Sequence, residues 1–352
     1  MTASKEFGVF LPVANGGWIV SKTTPLLDGG WPQNRDAAIA AEEAGFDFAM
    51  AIGKWRGFGG QTEHWGASLE SVTMLAGIAA VTSRIKLWAT IHAILFNPVV
   101  AAKMIATLDH VSGGRAGLNI VAGAFKGEFA QMGAWDESLT HDTRYDLAEE
   151  WTQIVKRLWT EPRVDFHGRH FDVTDCVSEP KPLRRPDLIC AGMSPRGFDF
   201  SVRHTDGCFI GGRDEHETRA ASRRAKDLAA SLSKTIKTYA MVTVIWDDSD
   251  QAAEAKAAAY RAGLDEGAVA GMLESYGVTP KKGDERGDNA MTARAQGAFM
   301  TQTAIGTPAT VAEKISHFMR FCDLDGVMFI FDDYARGVPM AGREILPRLR
   351  AP

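Results

Sequence analysis

The chain has 352 residues, 45% of them hydrophobic, which is enough to bury a large core in one or two domains. Its 39 lysines and arginines stand against 44 aspartates and glutamates, a formal charge of -5 spread along the chain without a basic tract, which argues against a nucleic-acid partner. No apolar stretch approaches the roughly 18 residues of a membrane span, and "MTASKEFGVFLPVANGGW" enters a strand-like run without a cationic, apolar leader, so no membrane contact and a cytoplasmic location are expected.

The first strand-like run is "EFGVFLPV" (Glu6 to Val13), followed by the helical stretch "NRDAAIAAEEAG", which stops at a glycine. "FDFAMAI" (Phe46 to Ile52) leads to "LESVTMLAGIAAVTS", "IKLWATI" (Ile85 to Ile91) leads to "NPVVAAKMIATLDHVSGG", and "RAGLNIVAG" (Arg115 to Gly123) leads to "RYDLAEEWTQIVKRLWT". Strand and helix therefore alternate, strand first. The stretch "DFHGRHFDVTDCVSEPKPLRRP", residues 165–186, interrupts this with two strand-like pieces and a proline-rich exit, and predicts a hairpin insertion. The alternation resumes with "DLICAG" (Asp187 to Gly192), "GCFIGG" (Gly207 to Gly212) and "TYAMVTVIW" (Thr238 to Trp246). Residues 276–306 are glycine-rich, charged and long, and predict a lid insertion. The helix "TPATVAEKISHFMRF" and the strand "GVMFIF" (Gly326 to Phe331) close the series. Eight strands of this kind predict an α/β fold, a (β/α)8 TIM barrel forming one domain over residues 1–352. An open Rossmann sheet is the rival, but no G-x-G-x-x-G follows a strand and no G-x-x-x-x-G-K-[ST] occurs.

Barrel chemistry comes from the carboxyl ends of the strands. The second strand ends "AIGKWRGFGG", offering Lys54 and Arg56; the third ends in Thr90 and His92; the fourth carries Asn119 and leads to Glu128. Thr90 also suits a strand simply as a β-branched residue. Asn119, between Leu118 and Ile120, must face the mouth or find buried partners. In "ICAGMSPRGFDF", Ser194 reads as an N-cap with Pro195 in the first turn, and the free N–H groups of such a helix start favour an anion such as phosphate. "HDTRYD" opens another helix, where Arg144 and Tyr145 can add a cation and a phenol to the same anion. His92 reads either as a substrate hydrogen-bond donor or acid, or as a packed ring. Cys176, Cys190, Cys208 and Cys322 are widely separated and read as reduced thiols; His167 and His170 lack an H-E-x-x-H pattern, so no metal is expected. No G-x-S-x-G elbow occurs. A barrel with an anion cradle and no evident acid, base or nucleophile set points to a bound cofactor.

At these residues the sequence resembles the luciferase-like flavin-dependent monooxygenases, and within them the RutA-type pyrimidine monooxygenases. The resemblance covers nearly the whole chain, and is carried by "FDFAMAIGKWRGFGGQTEHW", "LESVTMLAGIAAVTSRIKLWAT", "ATLDHVSGGRAGLNIVAGAFKGEFAQMG", "HDTRYD", "LICAGMS" and "DGVMFIFDDY"; it is loose from Lys234 to Ala304. It implies a bacterial luciferase-like barrel that binds FMN, supplied reduced by a separate NAD(P)H-flavin reductase, and that uses O2 to oxygenate and open a small nitrogen heterocycle. It also implies flavin contacts at Gly53, Lys54, Asn119, Glu128, Arg144, Tyr145 and Ser194, with Thr90 and Asn119 near the reacting oxygen and His92 intruding where the pyrimidine enzymes carry small apolar residues. The "FNP" turn and "LTHD" are similar to the sulfone and sulfonate branch, so that substrate class stands as an alternative, as does a deazaflavin-dependent oxidoreductase. Exposed helices such as "AAIAAEEAG" could pair two copies into a homo-oligomer.

Overall fold

The computed structural model describes residues 5–123, 125–276 and 290–351. Eight parallel strands close into a barrel: β1 (Glu6–Phe10), β2 (Phe48–Met50), β3 (Lys86–His92), β4 (Ala116–Val121), β7 (Asp187–Cys190), β8 (Gly207–Phe209), β9 (Lys237–Trp246) and β11 (Gly326–Phe331), which returns to β1. Between β4 and β7, an antiparallel hairpin of β5 (Val164–His167) and β6 (Asp172–Cys176) stands outside the barrel sheet. All eight expected barrel strands are present. Several end earlier than their apolar runs, because residues such as Leu11 to Val13 and Ala51 to Ile52 leave the ladder and begin the loops of the mouth.

The structure departs from the sequence expectation in residues 276–306. A strand absent from the expectation, β10 (Gln302–Gly306), pairs parallel with the upper half of β9, from Gln302 beside Val242 to Gly306 beside Trp246. It lies on the side of β9 where the short β8 has already ended. A helix, Ala290–Ala295, precedes it, and Ala295 and Met300 join the aromatic cluster inside the barrel. The polar, glycine-rich composition hid this strand, which needs β9 as a template. Residues 277–289 of the expected lid lie outside the described residues.

Helix boundaries follow local chemistry. Trp31–Ala44 and Pro98–Ser112 both carry proline in the first turn and stop at a left-handed glycine, Gly45 and Gly113. Pro195–His204 starts at Ser194, whose Oγ accepts from the Gly197 N–H at 3.1 Å.

The barrel interior is filled by large rings set against glycines. Phe48 stacks on Trp88 at 3.9 Å between centroids, and Tyr239 meets both edge-on at 5.7 and 5.5 Å. A Cβ on Gly8 would stand 2.1 Å from the Phe48 ring, and one on Gly117 would stand 2.2 Å from Trp88, so neither position accepts a side chain. Below this plug, Lys86 bridges Glu6 and Asp187 at 3.5 and 3.1 Å, and Lys237 reaches Glu6 at 2.9 Å, closing the amino end with charge. All four cysteines are free, with Cys190, Cys208 and Cys322 buried and Cys176 half-buried. Among the described residues, no helix is long and apolar enough to cross a membrane.

Candidate active site at the barrel mouth

Thr90 and Asn119 are register partners on β3 and β4, and both belong to the inward-facing set that includes Trp88 and Gly117. The Thr90 hydroxyl donates to the Ala51 carbonyl at 2.7 Å. A carbonyl only accepts, so the threonine proton is committed there, and its lone pair is left to accept from Asn119 Nδ2 at 3.1 Å. The amide is therefore oriented by the chain itself. Its Oδ1 is buried and has no partner among the described residues. An acceptor left in that state costs about 1–3 kcal/mol, which a ligand N–H or O–H would recover.

His92 lies two residues beyond Thr90 on the same face of β3. Its ring packs edge-to-face on Phe129 at 5.1 Å and against Gly53, where a Cβ would stand 3.0 Å from His92 Cε1. Gly53 is thus needed for the loop after β2 to lie across the end of β3. Burial, with the Lys54 ammonium nearby, pushes the His92 imidazole down to about 3. The acid role considered from sequence does not suit a ring that is neutral at ordinary pH.

Lys54 and Glu128, expected separately as flavin contacts, hold each other: Nζ and Oε2 are 3.1 Å apart with both side chains 2% exposed. The other carboxylate oxygen accepts the Trp55 N–H at 2.5 Å. The ammonium also lies 3.9 Å from the Phe125 ring centroid and 4.4 Å from that of Phe58. Burial pushes the Lys54 ammonium downward, and the charge and hydrogen bond of Glu128 oppose this. The pair ties the loop after β2 to the short helix Lys126–Ala130 after β4.

A second cluster occupies the same rim after β7. The hydroxyls of Tyr145 and Ser194 lie 2.4 and 2.9 Å from the point where a Cβ on Gly197 would stand, and a Cβ on Gly192 would be 2.9 Å from the Tyr145 hydroxyl. Two glycines therefore let a phenol reach the start of the helix Pro195–His204. Burial pushes the Tyr145 phenol upward, so it is a neutral donor. Arg144 lies in the first turns of the helix His141–Thr160, with its guanidinium 5.0 Å from the Trp135 ring and 3.3 Å from the Leu139 carbonyl. No hydrogen bond joins this cluster to Thr90, Asn119 and His92 among the described residues; Asn119 is on β4, and the cluster follows its neighbour β7.

Four participants were not read from the sequence. The Trp55 indole donates to His92 Nδ1 at 3.4 Å, Phe58 and Phe125 form the walls around Lys54, and His64 is buried between Phe58 and Trp65 with neither ring nitrogen bonded to a described residue. Trp55 had a signal, its place directly after Lys54 at a strand end; His64 had none. His167 pairs with Asp172 at 3.0 Å within the β5–β6 hairpin. Arg56, although also at the end of the second strand, makes no hydrogen bond or ion pair with these groups among the described residues.

Residues 5–321 match the family described as luciferase-like monooxygenase. The chain belongs to that family. Among its relatives are proteins named pyrimidine monooxygenase RutA from Variovorax paradoxus (strain S110), 36% identical over 98% of this chain and 94% of the relative, and from Stutzerimonas stutzeri (strain A1501), 37% identical over 98% and 97%. Two solved structures share the fold: a riboflavin lyase, RcaE, described with modified FMN and riboflavin, and a long-chain alkane monooxygenase, LadA. The first has a TM-score of 0.87 at 22% identity, covering 99% of this chain and 91% of the other; the second has 0.85 at 18%, covering 99% and 92%. This luciferase-like chain is accordingly a flavin-dependent monooxygenase.

Proposed function

We propose that this luciferase-like monooxygenase takes reduced FMN from a separate NAD(P)H-flavin reductase and uses O2 to oxygenate and open a small N-heterocycle, pyrimidine- or pyridine-like. The observation that carries the reading is the buried Oδ1 of Asn119, without a partner among the described residues and fixed by Thr90 at the end of the barrel where the rim also gathers hydroxyls at a helix start. Relatives named for pyrimidine monooxygenation over nearly the whole chain support the substrate class.

The residues present fit a phosphorylated flavin. Ser194, Tyr145 and Arg144, with the free N–H groups of the Pro195–His204 helix start, would hold the phosphate. Gly53, Thr90 and Asn119 would line the ring edge. Lys54 and Glu128 would act on it through the loop and helix they lock together. Reduced FMN supplies the two electrons that activate dioxygen. The protein's share is to exclude water and to aim fixed dipoles at the reacting edge, where they count for more than in solvent. Asn119 presents an acceptor there, because Thr90 takes the amide Nδ2 donor and leaves Oδ1.

The test is a panel of uracil, 2-pyridone, 2-hydroxypyridine derivatives and a dialkyl sulfone, supplied with a generic flavin reductase, FMN and NADH, with O2 uptake and product mass followed together. Incorporation of one oxygen atom into a ring-opened heterocycle is the expected result. Oxygenation of the sulfone with no heterocycle consumed would move the enzyme to the sulfur branch, and turnover only when a reduced deazaflavin replaces FMN, with hydride passed to the substrate and no O2 uptake, would point to deazaflavin chemistry. Arg144→Ala should weaken FMN binding more than riboflavin binding; equal losses would remove the phosphate assignment.

A further inference from the structure

We propose that Trp55 is a positioning residue that fixes His92 as a hydrogen-bond donor, and that His92 selects substrates by donating from Nε2 to a ring carbonyl or a pyridine-type nitrogen. The second half rests on the N-heterocycle reading above; the first does not.

The argument starts from the loop after β2. Glu128 takes the Trp55 N–H with one carboxylate oxygen and Lys54 with the other, so the backbone that carries the Trp55 side chain is pinned at two successive residues. The indole N–H can only donate, and the ring nitrogen it meets at 3.4 Å is His92 Nδ1. Nδ1 must therefore carry a lone pair. A neutral imidazole with a bare Nδ1 has its proton on Nε2, and Nε2 has no partner among the described residues. The ring packs edge-to-face on Phe129 on one side and lies over Gly53 on the other, where only a glycine leaves it room.

The ring also stays neutral for a structural reason. The charged groups nearest it on the adjoining segments are Lys54 and Glu128, and they neutralise each other at 3.1 Å. Burial, and after it the Lys54 ammonium, disfavour an imidazolium. A neutral donor with one free N–H discriminates by polarity. It rewards an acceptor on the substrate and penalises an N–H or a cation at the same place, because two donors facing each other leave both unpaired. His92 stands two residues above Thr90 on the inward face of β3, so this selection acts next to the oriented Asn119 amide.

The test uses the full chain labelled with 15N-histidine. The two-bond proton–nitrogen spectrum should show His92 as one neutral tautomer, Nε2 protonated and Nδ1 bare, from pH 5.5 to 8. In Trp55→Phe the resonances should move towards a mixture of tautomers. An imidazolium for His92 at pH 6, a dominant Nδ1–H form, or an unchanged tautomer in Trp55→Phe overturns the positioning role. In steady-state assays with the heterocycle that the panel selects, His92→Phe should raise KM by about tenfold, what one neutral hydrogen bond is worth, with a much smaller change in kcat, and His92→Gln should restore part of the loss. An unchanged KM in His92→Phe overturns the recognition role alone, and so does a selected substrate that lacks an acceptor. If no heterocycle is turned over, the oxygenation reading and the recognition role fall together while the tautomer result stands by itself.

Discussion

Replacing Glu128 with leucine would strand a cation. The Lys54 ammonium is held at 2% exposure by one carboxylate oxygen, and the Trp55 N–H is held by the other. Breaking a buried ion pair by removing one member costs about 3–5 kcal/mol, mostly because the remaining charge stays in a poor solvent. The Phe125 and Phe58 faces, 3.9 and 4.4 Å from the ammonium, return about 0.5–2 kcal/mol of this. The orphaned Trp55 N–H adds about 1–3 kcal/mol to the loss. The net expectation is about 2–7 kcal/mol, a large share of the total stability of an ordinary domain. The double variant Lys54→Met with Glu128→Gln should behave very differently. It removes both charges, and the glutamine carbonyl can still accept the Trp55 N–H, so its cost should be about 1 kcal/mol or less. Urea unfolding of the wild type, Lys54→Met, Glu128→Gln and the double variant completes the cycle, with Glu128→Leu measured beside it. A Glu128→Leu cost below about 1 kcal/mol, or single costs that simply add in the double variant, would refute the reasoning.

Acid should weaken the fold through two histidines. Burial pushes His64 down to about 4 and His92 down to about 3, whereas an unfolded histidine titrates near about 6.5. Between those values the unfolded chain binds protons that the folded chain refuses. The stability they contribute is thus complete above pH 6.5 and is lost as pH falls towards 4, by about 1.4 kcal/mol per pH unit for each ring. His64→Phe should flatten that slope in urea unfolding measured across the window; an unchanged slope would contradict the assignment. Thr90→Val removes both the donor to Ala51 and the acceptor that orients Asn119. Oxygenation coupled to O2 uptake should fall about tenfold or more while Thr90→Ser retains most of it, and full activity in Thr90→Val would sink the orienting role. Gly197→Ala places a methyl 2.4 Å from the Tyr145 hydroxyl. Fluorescence titration should show a greater loss for FMN than for riboflavin, and an equal loss would mean that the cluster does not meet the phosphate.

The barrel was legible because each of its eight strands is a short apolar run whose residues alone favour extended chain, as in "IKLWATI" and "GVMFIF", and because caps such as Ser194 and stops such as Gly113 act over three or four residues. β10 was not legible, since "QTAIG" has little apolar signal of its own and forms against the upper half of β9. The site divides in the same way. Thr90 and Asn119 could be singled out by their place at strand ends. That they bind each other depends on a strand register set across 29 positions of chain. Lys54 and Glu128 were expected as two ligand contacts, and their mutual burial, 74 residues apart, is a product of loop packing that no local pattern encodes. Trp55 and His92 meet for the same reason, 37 residues apart. Position along a strand indicates which residues face the mouth; only packing determines which of them are consumed by each other and which are left for a ligand.

The most direct test of the account is a crystal structure of the protein loaded with FMN. The expected result is an isoalloxazine edge within hydrogen-bonding distance of Asn119 Oδ1, beside Thr90, with the phosphate on the Ser194 and Tyr145 hydroxyls at the start of the Pro195–His204 helix. A ring bound elsewhere that leaves Asn119 Oδ1 without a partner would contradict it.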